Sequence, residues 1–101
     1  IGMIGYGRMG KIIGEIVQQR GHTLSTIIDP KSSDANFPEL CAEALADIFI
    51  DFTHPDAILS TIERACDLKK NIVVGTTGWN DHYDEVKKMV EKSGIGFLWA
   101  S

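Results

Sequence analysis

The sequence predicts an α/β fold: a doubly wound, mainly parallel sheet of about five strands with helices on both faces. Five short apolar segments alternate with helical patterns along the chain. The apolar segments are continuous runs, which is typical of strands that are covered on both faces. A length of 101 residues with 44% hydrophobic residues suits one domain with one core. Strands that alternate with helices favour parallel pairing through crossover connections.

The first half of the chain predicts two strands around an amphipathic helix. Ile1–Ile4 is an apolar run that leads directly into glycines. Gly21 fits the left-handed residue that follows a helix, and Thr23–Asp29 reads as the second strand. Pro30–Pro38 has a loop composition, and Glu39–Leu45 is predicted as a short helix. Apolar residues at helical spacing predict the buried face of the first helix: Met9, Ile12, Ile13, Ile16 and Val17.

The second half repeats this alternation. Pro55 fits the first position of a helix, where its missing N–H costs nothing. Asn80 is a suitable N-cap for a last helix, which Gly94 would end. The predicted buried face of the helix after Pro55 consists of Ile58, Ile62, Ala65 and Cys66. The predicted strands are Ile48–Phe52, Asn71–Val74 and Ile95–Trp99.

Composition and charge argue against several classes of protein. Ten basic and fourteen acidic residues give a net charge of −4, which disfavours nucleic-acid binding through a basic face. No apolar run is long enough to span a bilayer, and no secretory leader is visible at Ile1. Cys41 and Cys66 lack the spacing of a metal-binding pair, so no metal site is expected. We expect two reduced core thiols and a cytoplasmic location.

A glycine-rich loop after the first strand predicts a dinucleotide site. The segment Gly5-Tyr6-Gly7-Arg8-Met9-Gly10 matches G-x-G-x-x-G between a strand and an amphipathic helix. Gly5 allows the tight turn, Gly7 allows the backbone to approach a pyrophosphate, and Gly10 allows close packing of helix and strand. The N–H groups of the helix N-terminus would face the diphosphate. The pattern favours a Rossmann-type domain over a simple glycine-rich turn.

The choice between the two nicotinamide cofactors depends on the end of the second strand. Asp29 stands nineteen residues after Gly10, where a carboxylate accepts hydrogen bonds from the adenosine ribose. This favours NADH, since a 2′-phosphate would be repelled. Lys31 and Arg8 are nearby cations that could offset the repulsion. The cofactor is therefore NADH, NADPH or both, and the alternative for Asp29 is an ordinary surface residue.

Three later segments are predicted to meet the phosphate loop across the crevice at the carboxyl ends of the strands. They are Phe52-Thr53-His54-Pro55, Gly75-Thr76-Thr77-Gly78-Trp79 and Trp99-Ala100-Ser101. With the residues before them (Ile50–Pro55, Val74–Trp79 and Phe97–Ser101) and with Gly7-Arg8-Met9-Gly10, these segments resemble the N-terminal domain of the dihydrodipicolinate (4-hydroxy-tetrahydrodipicolinate) reductases. Members of that family carry GRMG, DFT-x-P, GTTG and A-[AS]-N-F-S motifs in this order.

The resemblance implies roles for individual residues. Gly5 through Met9 would bind pyrophosphate. Gly75, Thr76 and Thr77 would meet the nicotinamide ribose and amide, with Thr77 nearest the substrate. Ala100 and Ser101 would lie at the ring, and Phe52 and Thr53 would flank the same pocket. Simpler assignments remain for some residues: the two threonines could be turn residues, His54 a loop or capping residue, and Trp79 and Trp99 core residues.

The resemblance also implies a reaction: reduction of a small dicarboxylate, 4-hydroxy-tetrahydrodipicolinate, in lysine and diaminopimelate biosynthesis. The family's catalytic histidine–lysine segment and its assembly surface lie in a C-terminal domain that this sequence lacks. We therefore expect residues 1–101 to form a cofactor domain with no catalytic residue, from an enzyme that is a homo-oligomer, a tetramer by resemblance. Two alternatives remain: another dehydrogenase of similar architecture, such as an aspartate dehydrogenase-like protein, or a non-catalytic nucleotide sensor.

Overall fold

A five-stranded parallel sheet organises the molecule. The computed structural model describes residues 1–99. The strands lie in the order β2-β1-β3-β4-β5, and all four neighbouring pairs are parallel. The strands are β1 (Gly2–Ile4), β2 (Thr26–Ile28), β3 (Phe49–Asp51), β4 (Ile72–Val74) and β5 (Phe97–Trp99). The helices are α1 (Arg8–Gln19), α2 (Pro55–Asp67) and α3 (Tyr83–Ser93). The predicted fold class is confirmed, although each strand is shorter than its apolar run.

The sheet order places helices on both faces. The chain moves outward from β1 to β2 through α1, and in the opposite direction from β3 to β5 through α2 and α3. Because parallel crossovers are right-handed, the two directions put α1 on one face and α2 with α3 on the other. In agreement with this, α2 and α3 pack against each other, while α1 contacts β1. The carboxyl ends of β1, β2 and β3 meet at one edge.

The core lies between the sheet and the face of α2 and α3. The predicted buried face of α2 is confirmed, and Pro55 occupies its first turn. The predicted N-cap at Asn80 is wrong, because Asn80 lies inside a short 3-10 turn (Asn80–His82), and His82 is the N-cap of α3 without a side-chain capping hydrogen bond. Gly94 ends α3 with φ of 75°, as predicted. The largest fully buried side chains of this core are Phe49, Ile28, Ile58, Ile62, Ile72, Val74 and Val86.

The predicted buried face of α1 is wrong in its main part. Met9, Ile12 and Ile16 are 53%, 45% and 38% exposed, and the residues that α1 buries are Gly10, Gly14 and Val17. Glycine permits the helix to approach the sheet so closely that bulky side chains cannot lie between them. The apolar residues are displaced to the flank of α1 instead.

The predicted helix at Glu39–Leu45 is also wrong, because this segment forms only turns. Its carbonyl groups accept hydrogen bonds from distant side chains rather than from N–H groups four residues on. Lys70 Nζ donates to the carbonyls of Ala42 and Ala44, at 3.4 and 3.0 Å. Leu40 and Ala44 are nevertheless buried, so the segment covers the core without helical structure.

Two smaller sequence predictions can be compared with the structure. Both cysteines are free thiols, and Cys66 is buried as expected, whereas Cys41 is only partly buried. Within residues 1–99, no helix is long and apolar enough to cross a membrane.

Candidate dinucleotide site

A cavity of about 880 Å³ opens at the carboxyl ends of β1, β2 and β3. Its walls come from the glycine loop, the segment after β2, the segment after β3 and one side of α2. Ten of the sequence-predicted cofactor residues line it: Gly5, Tyr6, Gly7, Arg8, Met9, Gly10, Asp29, Lys31, Phe52 and Thr53. The sheet topology therefore brings together residues that are far apart in the sequence.

The three glycines of the loop differ in what a side chain would meet. A Cβ at Gly10 would lie 2.2 Å from the Gly5 carbonyl oxygen, so the close approach of α1 requires glycine. Gly5 has φ of +90°, and a Cβ there would lie 2.5 Å from the Phe52 carbonyl oxygen. A Cβ at Gly7 would meet no protein atom within 4 Å, and its φ of −80° suits any residue. Packing within the protein explains Gly5 and Gly10 but does not explain Gly7.

The N-terminus of α1 has the electrostatics of an anion site. Gly7 is its N-cap, and no side chain caps the first N–H groups. The first turn contains no acidic residue, so no carboxylate of the helix itself offsets the positive end of its dipole. Since Gly7 leaves its side of the backbone uncovered, a phosphate group can approach these N–H groups. The residues present thus fit the pyrophosphate of a dinucleotide.

Asp29 follows β2 and is bonded to the glycine loop. Its Oδ2 accepts a hydrogen bond from the Tyr6 N–H at 2.7 Å, and its Oδ1 accepts one from the Lys31 N–H at 2.8 Å. Partial burial pushes the pKa of Asp29 upward, but N–H donors from Tyr6, Lys31 and Ser32, with the charge of Lys31, lower it below its ordinary value. Asp29 is therefore a carboxylate that anchors the loop. This anchoring role was not predicted from the sequence, although the Asp-Pro-Lys sequence is typical of an aspartate that accepts a hydrogen bond from an N–H two residues on.

A second aspartate, Asp51, ends β3 and is completely buried. Its Oδ1 accepts hydrogen bonds from the Thr53 N–H, the Thr53 hydroxyl and the Thr76 hydroxyl, at 2.9, 2.8 and 2.9 Å. Burial raises the pKa of Asp51, and these hydrogen bonds oppose only part of the effect. Asp51 belongs to the DFT-x-P motif, but no site role is predicted for it from the sequence. The signal that could have found it is a charged residue at the end of an otherwise apolar strand.

The loop after β4 packs tightly beside this aspartate. A Cβ at Gly75 would lie 2.3 Å from the Phe52 ring, so the ring and the Gly75 backbone are in close contact. Thr76 is buried, whereas Thr77 is exposed. Trp79 is buried as well, and its Nε1 donates to the Thr76 carbonyl at 2.8 Å. Trp79 is thus a core residue that fixes the loop.

The remaining candidates are only partly placed with the cavity. Gly75, Thr76 and Thr77 lie in the loop after β4, beyond the walls of the cavity. Ala100 and Ser101 fall outside the described residues. His54 lines the cavity as the N-cap of α2, but its side chain makes no capping hydrogen bond. No group of three potential metal ligands occurs within residues 1–99.

Comparison with known proteins identifies the family. A family model described as "Dihydrodipicolinate reductase, N-terminus" matches residues 1–101. The 4-hydroxy-tetrahydrodipicolinate reductase of Christiangramia forsetii is 34% identical across 100% of this chain, and that of Corynebacterium urealyticum is 33% identical across 99%. The chain spans 41% and 40% of the lengths of these two relatives.

Solved structures support the fold independently. Apo scyllo-inositol dehydrogenase from Lactobacillus casei superimposes with a TM-score of 0.82, at 14% identity, over 98% of this chain and 35% of that one. Homoserine dehydrogenase from S. aureus gives 0.77, also at 14% identity, over 97% and 31%. These likenesses confirm a Rossmann-type architecture. With the family model matched from the first residue to the last, the chain belongs to the dihydrodipicolinate reductase N-terminal family.

Proposed function

We propose that residues 1–101 are the NAD(P)H-binding domain of a reductase that converts 4-hydroxy-tetrahydrodipicolinate to tetrahydrodipicolinate in lysine and diaminopimelate biosynthesis. Family membership supports the reaction. The observation that carries the binding role is Gly7, a glycine that no internal contact requires, at an uncapped helix N-terminus. A glycine at such a position is accounted for by a ligand that must approach the backbone.

Different residues of the cavity bind different parts of the cofactor. The N–H groups at the start of α1 hold the pyrophosphate, and Asp29 accepts hydrogen bonds from the adenosine ribose. Asp29 has lone pairs beyond those used by the Tyr6 and Lys31 N–H groups, and it stays ionised because its pKa is low. Lys31 and Arg8 both line the cavity and are cations available to a 2′-phosphate.

The nicotinamide end lies toward the loops after β3 and β4. Phe52 and Thr53 form the wall, and the backbone of Gly75 and Thr76 with the exposed Thr77 completes it, Thr77 being nearest the substrate. When bound, the reduced nicotinamide supplies a hydride. The residues of this chain hold the cofactor and orient the ring. Ala100 and Ser101, which lie outside the described residues, are proposed from the family resemblance alone as contacts of the nicotinamide ring.

The groups that hold the dicarboxylate and supply the proton belong to a further C-terminal domain, which also assembles the enzyme as a homo-oligomer, by resemblance a tetramer. The length of the relatives, of which this chain covers about two fifths, supports this division. Two free cysteines support a cytoplasmic location. The net charge of −4 supports a small-molecule substrate rather than a nucleic acid.

Calorimetry with NADH and NADPH on the full-length protein tests the binding role. Gly7→Val should weaken both cofactors about 100-fold, because the side chain occupies the path of the pyrophosphate. Its melting temperature should stay near that of the wild type, since the Cβ meets no protein atom. Gly10→Ala is the contrast, because its Cβ meets the Gly5 carbonyl and stability falls. Unchanged affinity in Gly7→Val would remove the phosphate site.

Turnover tests the reaction. The full-length protein should oxidise NADH or NADPH in the presence of 4-hydroxy-tetrahydrodipicolinate, and residues 1–101 alone should not. Turnover of aspartate or an inositol in its place would favour another dehydrogenase of the same architecture. Cofactor binding without any turnover would favour a nucleotide sensor. Turnover by residues 1–101 alone would show that the catalytic groups lie within this chain.

A further inference from the structure

Asp51 is the buried residue that the cofactor contacts described above leave unexplained. It is the last residue of β3, in register with Ile4 of β1 and Val74 of β4, and it is 0% exposed. A buried carboxylate is costly unless it is paired. Within residues 1–99, no lysine, arginine or histidine forms an ion pair with it. A role in stability is therefore a poor explanation for its presence.

Its contacts instead join two loops. Oδ1 accepts from the N–H and hydroxyl of Thr53, in the loop after β3, and from the hydroxyl of Thr76, in the loop after β4. The Thr53 N–H is also shared with the Thr76 hydroxyl at 2.9 Å. One carboxylate oxygen thus links the loops that follow β3 and β4, beyond the last strand pair, Asp51 and Val74. Trp79 holds the second loop from its other side, through the Thr76 carbonyl.

The second oxygen of the carboxylate has no hydrogen-bond partner among the described residues, although it is buried. If the carboxylate served only to satisfy the core, an apolar side chain of the same size would be less costly there. The three donors on Oδ1 belong to Thr53, which lines the cavity, and to Thr76, in the loop after β4. The hydrogen bonds of Asp51 are therefore made with the two loops rather than with the core.

We propose that Asp51 is a positioning residue for the nicotinamide end of the cofactor: it holds Thr53 and Thr76 so that the two loops form one rigid wall. The two threonines of the Gly75–Gly78 turn then have different tasks. Thr76 directs its hydroxyl inward to Asp51 and offers only its backbone to the cofactor. Thr77 is exposed and offers its hydroxyl. This inference rests on the proposed cofactor site.

The test compares NADH with ADP-ribose, which lacks the nicotinamide, by calorimetry on the full-length protein. Asp51→Leu keeps the size of the side chain but removes the acceptor. We expect NADH to bind about tenfold more weakly, while ADP-ribose binding changes less than about twofold. Asp51→Asn keeps an acceptor oxygen and should restore NADH binding to within about threefold of the wild type. A purely structural residue would weaken both ligands equally.

A double variant with its own control distinguishes a positioning role from a folding defect in Asp51→Leu. Thr53→Val with Thr76→Val removes the hydroxyl donors and should reproduce the selective loss for NADH. Thr26→Val is the matched control, because the Thr26 hydroxyl is also buried but has no partner, at the far end of β2. It should leave both affinities unchanged.

Each result decides a different claim. Equal losses of NADH and ADP-ribose in Asp51→Leu, or in the double threonine variant if Asp51→Leu does not fold, would overturn the positioning role. Unchanged NADH binding in these variants would overturn it as well. Failure of the wild type to bind either ligand would instead overturn the proposed function.

Discussion

The two sides of the cavity are built around aspartates in equivalent places but opposite environments. Asp29 follows β2 and Asp51 ends β3, so the two flank β1 at the same edge of the sheet. Asp29 is partly exposed and takes its hydrogen bonds from backbone N–H groups. Asp51 is buried and takes two of its three from threonine hydroxyls.

The difference shows that exposure to solvent decides which role an aspartate has at this site. Burial dominates at Asp51 and raises its pKa, whereas backbone donors and Lys31 outweigh burial at Asp29 and lower its pKa. A carboxylate with solvent-facing lone pairs can serve a ligand directly. A carboxylate enclosed by its own loops can act only through them. The β2 side is thus open, and the β3–β4 side is packed.

The largest expected effect concerns this packing. Gly75→Ala places a Cβ against the Phe52 ring and should lower the free energy of unfolding by about 2 kcal/mol, which is roughly 10 °C in melting temperature. Gly7→Ser is the matched substitution on the open side and should change the melting temperature by about 2 °C or less. Calorimetric melting curves measure both. Equal melting temperatures would mean that the two sides do not differ in packing.

The next effect concerns cofactor choice on the open side. Asp29→Ala should weaken NADH about tenfold, because a hydrogen bond to a charged group is lost, and should weaken NADPH less. The ratio of the two dissociation constants is the measurement, since loosening of the Tyr6 N–H affects both cofactors alike. An unchanged ratio in Asp29→Ala would contradict the ribose role.

The two aspartates should also respond to pH in opposite directions. The lowered pKa of Asp29 means that its contribution to stability is present above about pH 4 and is lost as pH falls through the folded-state pKa. The raised pKa of Asp51 means that the folded state loses stability as pH rises from about 4 through the raised value. Melting temperatures of Asp29→Asn and Asp51→Asn, each compared with the wild type across this range, measure the two slopes. If the difference in melting temperature from the wild type changed with pH in the same direction for both variants, the opposite pKa shifts of the two aspartates would be refuted.

The smallest effect is expected at Lys31. Its ammonium lowers the pKa of Asp29 and is exposed to solvent. Lys31→Met should weaken NADPH about threefold and leave NADH nearly unchanged, because exposed charge pairs are weak. Lys92→Met, in the last turn of α3, is the control for loss of one positive charge. Equal weakening of both cofactors would mean that Lys31 contacts a part that NADH and NADPH share, rather than the 2′-phosphate.

The sequence was sufficient for the fold and for the open side of the site. Apolar runs, glycine positions and the spacing of Asp29 are local signals, and they predicted the parallel sheet, the glycine loop and Asp29. Phe52 and Thr53, which also line the cavity, were predicted from the expected strand order and the family resemblance. The prediction for α2 succeeded because its inward face carries the apolar residues themselves. For the cofactor contacts of individual residues, the sequence yields predictions that the proposed binding experiments test.

The errors arose where packing reverses a local signal. The apolar pattern of α1 predicted Met9, Ile12 and Ile16 as the inward side, but close approach through Gly10 moved them outward. The segment 39–45 has a helical composition, yet side chains such as Lys70 bond its carbonyls from across the fold. Asp51 was missed because its donors come from two loops separated by more than twenty residues. A local pattern can single out Asp51 as a charged residue at the end of an apolar strand, but it does not contain these contacts.

The order of strands has a consequence for synthesis of the chain. β1 is made before the other four strands but lies inside the sheet, with β2 on one side and β3 on the other. One edge of β1 can pair once residue 28 has emerged from the ribosome, and the other must wait for residues 49–51. During that interval, the glycine loop has no Phe52 to close over Gly5. The binding crevice is thus completed only after β3 has been made, when strands distant in sequence meet.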